Sequence, residues 1–135
     1  MQKLFLIDSH ALLHRFYHAL PPLTTPEGKP IQAIYGLAGV LLRMIRDFKP
    51  NYIAAAADTP TQTFRREKFP TYKAHRAPTA DDLKAQLAEA PNAFAAFGVK
   101  LFRMPGYEAD DVIGTLAAAF ETGGIHVEIF SGDLD

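Results

Sequence analysis

Four short apolar runs, each leading into acidic residues, constrain the fold more than any other feature of this sequence. Leu4-Phe5-Leu6-Ile7 has no polar face and closes on Asp8. A run that short and that uniformly apolar suits a strand buried on both sides. The pattern returns at Tyr52 to Ala57, which closes on Asp58. Val99 to Met104 alternates like a third strand, and Pro105-Gly106 turns the chain toward Glu108-Ala109-Asp110-Asp111. His126 to Phe130 is a fourth strand and runs into Ser131-Gly132-Asp133-Leu134-Asp135.

Helical patterns separate these runs. Ser9 is expected to cap a helix through Ala11, Leu12, Leu13, Phe16 and Tyr17. Ile34, Leu37, Leu41, Met44, Ile45 and Phe48 recur at three- and four-residue spacing, which predicts a helix over 33–48 stopped by Pro50. A third helix is expected over 81–97, capped by Thr79, closed by Gly98 and kinked or divided at Pro91. The fourth opens at Glu108 to Asp111 and runs to about Glu121, with Gly123-Gly124 ending it. Strands alternating with helices imply right-handed crossovers, hence an α/β fold with a parallel sheet and helices on both faces. Such sheets bind ligands at the carboxyl ends of their strands. The reading therefore gathers four separate acidic segments at one edge.

The bland account of a single aspartate after a strand is a helix cap or a turn former. Acids in a helix's first turn also favour its dipole, by roughly 0.3–1 kcal/mol each. Neither effect explains why every strand ends in carboxylates. Asp8, Asp58, Glu108, Asp110, Asp111, Asp133 and Asp135, placed together, would repel one another unless cations neutralised them. All-oxygen donors suit Mg²⁺ or Mn²⁺. Two such ions roughly 3.5–4 Å apart can activate a water and stabilise the leaving oxygen of a phosphodiester. On a regular helix Glu108 and Asp111 share a face and Asp110 points away. If Asp110 is also a ligand, the first turn must be irregular or the helix must start later. Asp133 and Asp135 point the same way only in extended chain.

Bulk charge predicts no partner, because 14 basic residues oppose 15 acidic ones. Local charge does. Between Thr61 and Arg76, the cations Arg65, Arg66, Lys68, Lys73 and Arg76 face only Glu67, a net of +4, with Phe64, Phe69 and Tyr72 interleaved. The alternative is a solvated loop with its rings on the core. Cations with stackable rings suit single-stranded nucleic acid, where stacking contributes about 1–3 kcal/mol per base. Following directly on an acidic strand end, such a segment can draw in a phosphate chain that carboxylates repel. Cys is absent, which removes disulfides and thiolate zinc sites. The apolar start ends at Asp8, too short for a signal peptide or a membrane span; the default is a soluble cytoplasmic protein with no membrane partner. At 135 residues and 48% hydrophobic, the chain can bury one core.

Five segments carry a resemblance: LIDSHALLHRFYHAL from Leu6, IYGLAGVLLRMI from Ile34, TFRREKFPTYKAHR from Thr63, PGYEADDVIGTLA from Pro105, and the final SGDLD. In this order they resemble the 5′ nuclease domain of bacterial DNA polymerase I and free-standing flap endonucleases. The resemblance implies a Rossmann-like (PIN-like) sheet with a helical arch, here segment 59–80 of one 5′-3′ exonuclease N-terminal domain over 1–135. It implies Mg²⁺-dependent 5′-3′ exonuclease or 5′ flap endonuclease activity in replication and repair. Expected substrates are 5′ flaps, 5′ ends of duplex DNA and RNA–DNA hybrids. A polymerase domain in a longer protein is a further expectation, as is a bacterial, nucleoid-associated setting. The seven acids would bind two metal ions directly or through water. Lys73 and Arg76 would contact the scissile phosphate; Arg65, Arg66 and Tyr72 would support the arch or the flap. Arg15 would lie near the substrate strand, and His14 would stack on a base or simply pack.

Two departures accompany the resemblance. Ala57 stands where an aromatic is frequent. Relatives continue past the position of Asp135 with a further acidic pair and a helix–hairpin–helix element, so the chain is expected to be a fragment. Two rival readings are a compact PIN-like ribonuclease and a non-catalytic DNA-binding fragment.

Overall fold

The computed structural model describes residues 2–58, 80–104 and 106–131. Strands β1 (Lys3–Asp8), β2 (Tyr52–Ala56), β3 (Lys100–Phe102) and β4 (His126–Phe130) form one parallel sheet in the order β3-β2-β1-β4. Helices α1 (Ser9–Ala19) and α2 (Gln32–Arg43) lead from β1 to β2. Helix α3 (Asp81–Ala96) precedes β3, and α4 (Ala109–Thr122) leads from β3 to β4. The chain thus steps outward through β2 and β3, then returns to the far side of β1. That reversal makes a switch point at the carboxyl ends of β1 and β4, where Ile7 pairs with Phe130. The expected α/β architecture is the observed one.

Alternation along β1 explains the two layers. Phe5 and Ile7 point to one face and pack with Leu12 and Leu13 of α1, Leu37 and Leu41 of α2, and Leu83 and Phe94 of α3. Leu4 and Leu6 point to the other and pack with Ala109, Val112 and Ile113 of α4. A continuous apolar run is therefore needed in β1, because both faces are covered.

Several local expectations are corrected. The cap of α1 is Asp8, not Ser9: β1 runs one residue further, and the Asp8 carboxylate accepts from the Ala11 N–H at 3.1 Å. The α-helix expected over 33–48 ends at Arg43 and continues as a π-helical turn, Met44–Phe48. Lys49 closes that turn at φ 45°, with its N–H on the Met44 carbonyl. The wider turn leaves the Phe48 ring 6.1 Å from Phe5. Pro91 does not divide α3, and the residue capping that helix is Ala80, without a side-chain cap. Thr79, the expected cap, lies outside the described residues, as do 59–79 of the proposed arch.

Where α1 crosses α2, Gly36 meets Phe16. A Cβ at Gly36 would stand 2.5 Å from Phe16 Cγ and 2.8 Å from its Cβ, atoms too near the backbone to swing aside. Gly36→Ala gains helix propensity of about 1 kcal/mol, yet overpacking costs about 1–3 kcal/mol. The variant is expected to be destabilised by roughly 1–2 kcal/mol in urea unfolding. Equal or higher stability would show that the two helices separate without penalty.

A carboxylate edge as candidate metal centre

Parallel strands bring their carboxyl ends to one edge, and the sequence-predicted acids follow them there. Asp8 is the last residue of β1, in register with Ala56 of β2. Asp58 follows β2 by two residues. Glu108, Asp110 and Asp111 open α4 after β3. Asp133 and Asp135 lie outside the described residues.

Helix α4 starts one residue later than a helix opening at Glu108, which resolves the facing problem among its acids. Glu108 is the N-cap, outside the helix, and forms a capping box with Asp111. The Asp111 carboxylate accepts from the Glu108 N–H at 3.0 Å. Glu108 is buried, and the N–H of the next residue, Ala109, donates to Asp58 Oδ1 at 2.6 Å. Asp110 is exposed and turned instead toward Asp8.

Asp8 has a strongly perturbed carboxyl. Burial pushes its pKa from 3.8 to about 6, and the neighbouring Asp110 and Asp58 charges add to that rise. The Ala11 N–H partly opposes it. An acid that is buried, crowded by like charge and used as a helix cap is under opposing demands. Its capping hydrogen bond favours the anion, and its surroundings disfavour it.

The donor chemistry fits a divalent cation. Asp8, Asp58 and Asp110 present hard oxygens on one side, and a cation would relieve the crowding that raises Asp8. Among the described residues, no three acids or imidazoles stand close enough to enclose an ion by themselves. Glu108 and Asp111 are engaged in capping α4, so a metal would have to compete with that box or be reached through water.

Two residues that the sequence did not single out, His10 and Arg103, join this edge. His10, two positions after Asp8, accepts the Asp58 N–H on Nδ1 at 3.3 Å. Burial lowers its pKa, opposed by Asp58 and assisted by His14 and Arg103. Spacing alone could have flagged His10, since it opens the helix that follows the first acidic strand end. His14 is half-buried and Arg15 exposed on the same helix. Lys73, Arg76, Arg65, Arg66 and Tyr72 lie outside the described residues.

Comparison with known proteins agrees with this architecture. A 5′-3′ exonuclease of Aquifex aeolicus is 38% identical over the whole chain, which spans 47% of that protein. DNA polymerase I of Bacillus subtilis is 38% identical over 99% of the chain, and that of Thermus aquaticus 39% over 98%. The chain spans under half of the exonuclease and about a sixth of each polymerase: 15% and 16%. Among solved structures, a bacteriophage T5 5′-exonuclease with bound zinc superposes with a TM-score of 0.67 over 98% of this chain and 49% of its own. A T5 flap endonuclease complexed with DNA and metal ions gives 0.65 over 98% and 50%. Both are 22% identical, which establishes a shared fold. Residues 3–135 match the family described as the 5′-3′ exonuclease N-terminal, resolvase-like domain, and this chain belongs to that family.

Proposed function

We propose that this chain is the metal-binding part of a 5′ nuclease that hydrolyses DNA phosphodiesters, cutting 5′ flaps and 5′ ends with Mg²⁺ or Mn²⁺. The observation that carries the reading is the carboxylate edge: Asp8, Asp58 and Asp110 stand at one end of a parallel sheet, and burial, with the Asp110 and Asp58 charges adding to it, raises Asp8. Family membership supports reading this edge as the site of metal-dependent nuclease chemistry. When bound there, divalent ions would supply an activated water and charge stabilisation at the leaving oxygen.

The chain's own residues have distinct parts in this proposal. Asp8 and Asp110 hold cations, with Asp58, Glu108, Asp111, Asp133 and Asp135 as direct or water-mediated ligands. The Asp58 carboxylate, fixed by the Ala109 N–H, ties the β2 exit to the start of α4. That bond keeps acids from two separate loops in register. Lys73 and Arg76 neutralise the scissile phosphate, Arg65, Arg66 and Tyr72 support the incoming strand, and Arg15 and His14 flank it. The longer protein, of DNA polymerase I type, would act at DNA in replication and repair in the cytoplasm.

The test is cleavage of labelled 5′-flap DNA by the gene product across a Mg²⁺ titration. Release of the flap, abolished by chelation, is the expected result. Cleavage of single-stranded RNA without need of a 5′ end would replace this reading with a ribonuclease. DNA binding without any metal-dependent cleavage would replace it with a binding role. Lys73→Ala is expected to slow single-turnover cleavage at least tenfold and to lower the salt slope of binding by about 1. A normal rate in that variant would remove Lys73 from the phosphate site.

A further inference from the structure

Beside the carboxylates, the same edge also carries a guanidinium and two imidazoles. Phe102 of β3 is in register with Ala56, and its carbonyl accepts the Ala57 N–H at 3.0 Å. Arg103 therefore leaves the sheet alongside Asp58 and is exposed there. His10 reaches the same point from α1, its Nδ1 taking the Asp58 N–H. With Nδ1 used as an acceptor, the neutral ring carries its proton on Nε2 and has a donor left to offer. His14 follows His10 by four residues, one helical turn further along the same side of α1. Arg103 and His14 both lie near the His10 ring.

We propose that Arg103, with His10 and His14 of α1, forms a phosphate-binding ledge that holds a phosphodiester of the nucleic-acid strand beside the carboxylate edge. The inference rests on the nuclease reading and deepens it. A polyanion approaching Asp8, Asp58 and Asp110 meets repulsion, and a guanidinium carried by the loop beside the β2 exit offsets it where the strand must pass. Arg presents a planar fork of donors that matches phosphate oxygens, and two imidazoles widen the surface on which the strand rests. Arg103 belongs to a different loop from the cationic segment 61–76.

The test is fluorescence anisotropy of the gene product with labelled 5′-flap DNA in Ca²⁺, over a salt series. A second DNA set carries one neutral methylphosphonate linkage at successive positions. Arg103→Ala is expected to weaken binding about tenfold and to lower the salt slope by about 1, with Arg103→Lys recovering part of the affinity. One methylphosphonate position should weaken the unmodified protein and leave Arg103→Ala unaffected, which identifies the phosphate. His14→Ala should weaken binding about threefold at that same position. Unchanged affinity and slope in Arg103→Ala, with flap cleavage intact in the unmodified protein, would overturn the ledge alone. Absence of both DNA affinity and flap cleavage in the unmodified protein would overturn the nuclease reading and the ledge together.

Discussion

Asp8→Asn should abolish metal-dependent cleavage while making the metal-free protein more stable. The two effects have separate causes in one side chain. Asn keeps an oxygen for the Ala11 N–H, and Asn and Asp are equivalent helix caps, so α1 should start as before. What disappears is the charge, and with it a donor to a divalent cation. A loss of at least about a thousandfold, or ~4 kcal/mol of transition-state stabilisation, is expected in single-turnover cleavage.

The gain in stability follows from the raised carboxyl. Its pKa lies near 6 in the folded protein against 3.8 for the free group. Below about pH 4 the acid is neutral in both states and burial carries no penalty. As pH climbs through 4 to 6, the unfolded chain loses the proton first, and the folded state loses relative stability. At pH 7 the ionised Asp8 lowers stability on the order of 2 kcal/mol, after allowance for residual contact with solvent. Urea unfolding of the unmodified protein in chelator should therefore weaken from pH 4 to 7 at this site. Asp8→Asn should lack that component and be more stable at pH 7. Lower stability of Asp8→Asn at pH 7 would show that the carboxylate is well accommodated without metal. Cleavage within tenfold of normal would remove Asp8 from the metal site.

Gln86→Leu should cost the fold about 3 kcal/mol. Gln86 is fully buried on α3 and works on both sides of its amide. Its Oε1 accepts from the Ala33 N–H at 2.6 Å and the Ile34 N–H at 3.3 Å. Its Nε2 donates to Gln32 Oε1 at 3.1 Å and to the Asp82 carbonyl at 3.4 Å. Helix α2 has Ile31 at its N-cap, with no side-chain bond of its own. Gln86 thus caps α2 from another helix. Leu would leave the buried Ala33 N–H, the part-buried Ile34 N–H and the Gln32 oxygen unpaired, each at about 1–3 kcal/mol before relaxation. A fall of roughly 10 °C in Tm is expected. Gln86→Glu tests the mechanism, because a carboxylate still accepts from Ala33 but cannot donate to Gln32. It should be destabilising at pH 7 and recover toward pH 4. A loss below 1 kcal/mol for Gln86→Leu would mean that α2 finds another cap.

The same network has a second tie. Tyr17 on α1 donates to Asp82 at 2.6 Å, and that bond holds the Tyr17 hydroxyl above its ordinary pKa. Together these contacts fix the start of α3 against α1 and α2.

By itself the sequence determined the class of fold and the side of the sheet on which chemistry can occur. Continuous apolar runs at Leu4–Ile7 and Tyr52–Ala57 require cover on both faces, and alternation with helices requires parallel strands. From those two facts the acids after the strands must share an edge. The ends of α4 were equally legible, since an acidic opening and Gly123-Gly124 act within a few residues of the turns they form. Tertiary structure decided what depends on partners far along the chain. It made Asp8 the cap in place of Ser9, because β1 pairs with β2 through its last residue. It turned Asp110 toward Asp8 while Glu108 and Asp111 closed on each other. It widened the end of the second helix at Met44–Phe48, set Gln86 across 53 residues onto Ala33, and brought Arg103 beside His10. Periodicity and capping act over one or two turns, whereas these contacts are fixed by the strand order β3-β2-β1-β4, which no local pattern encodes.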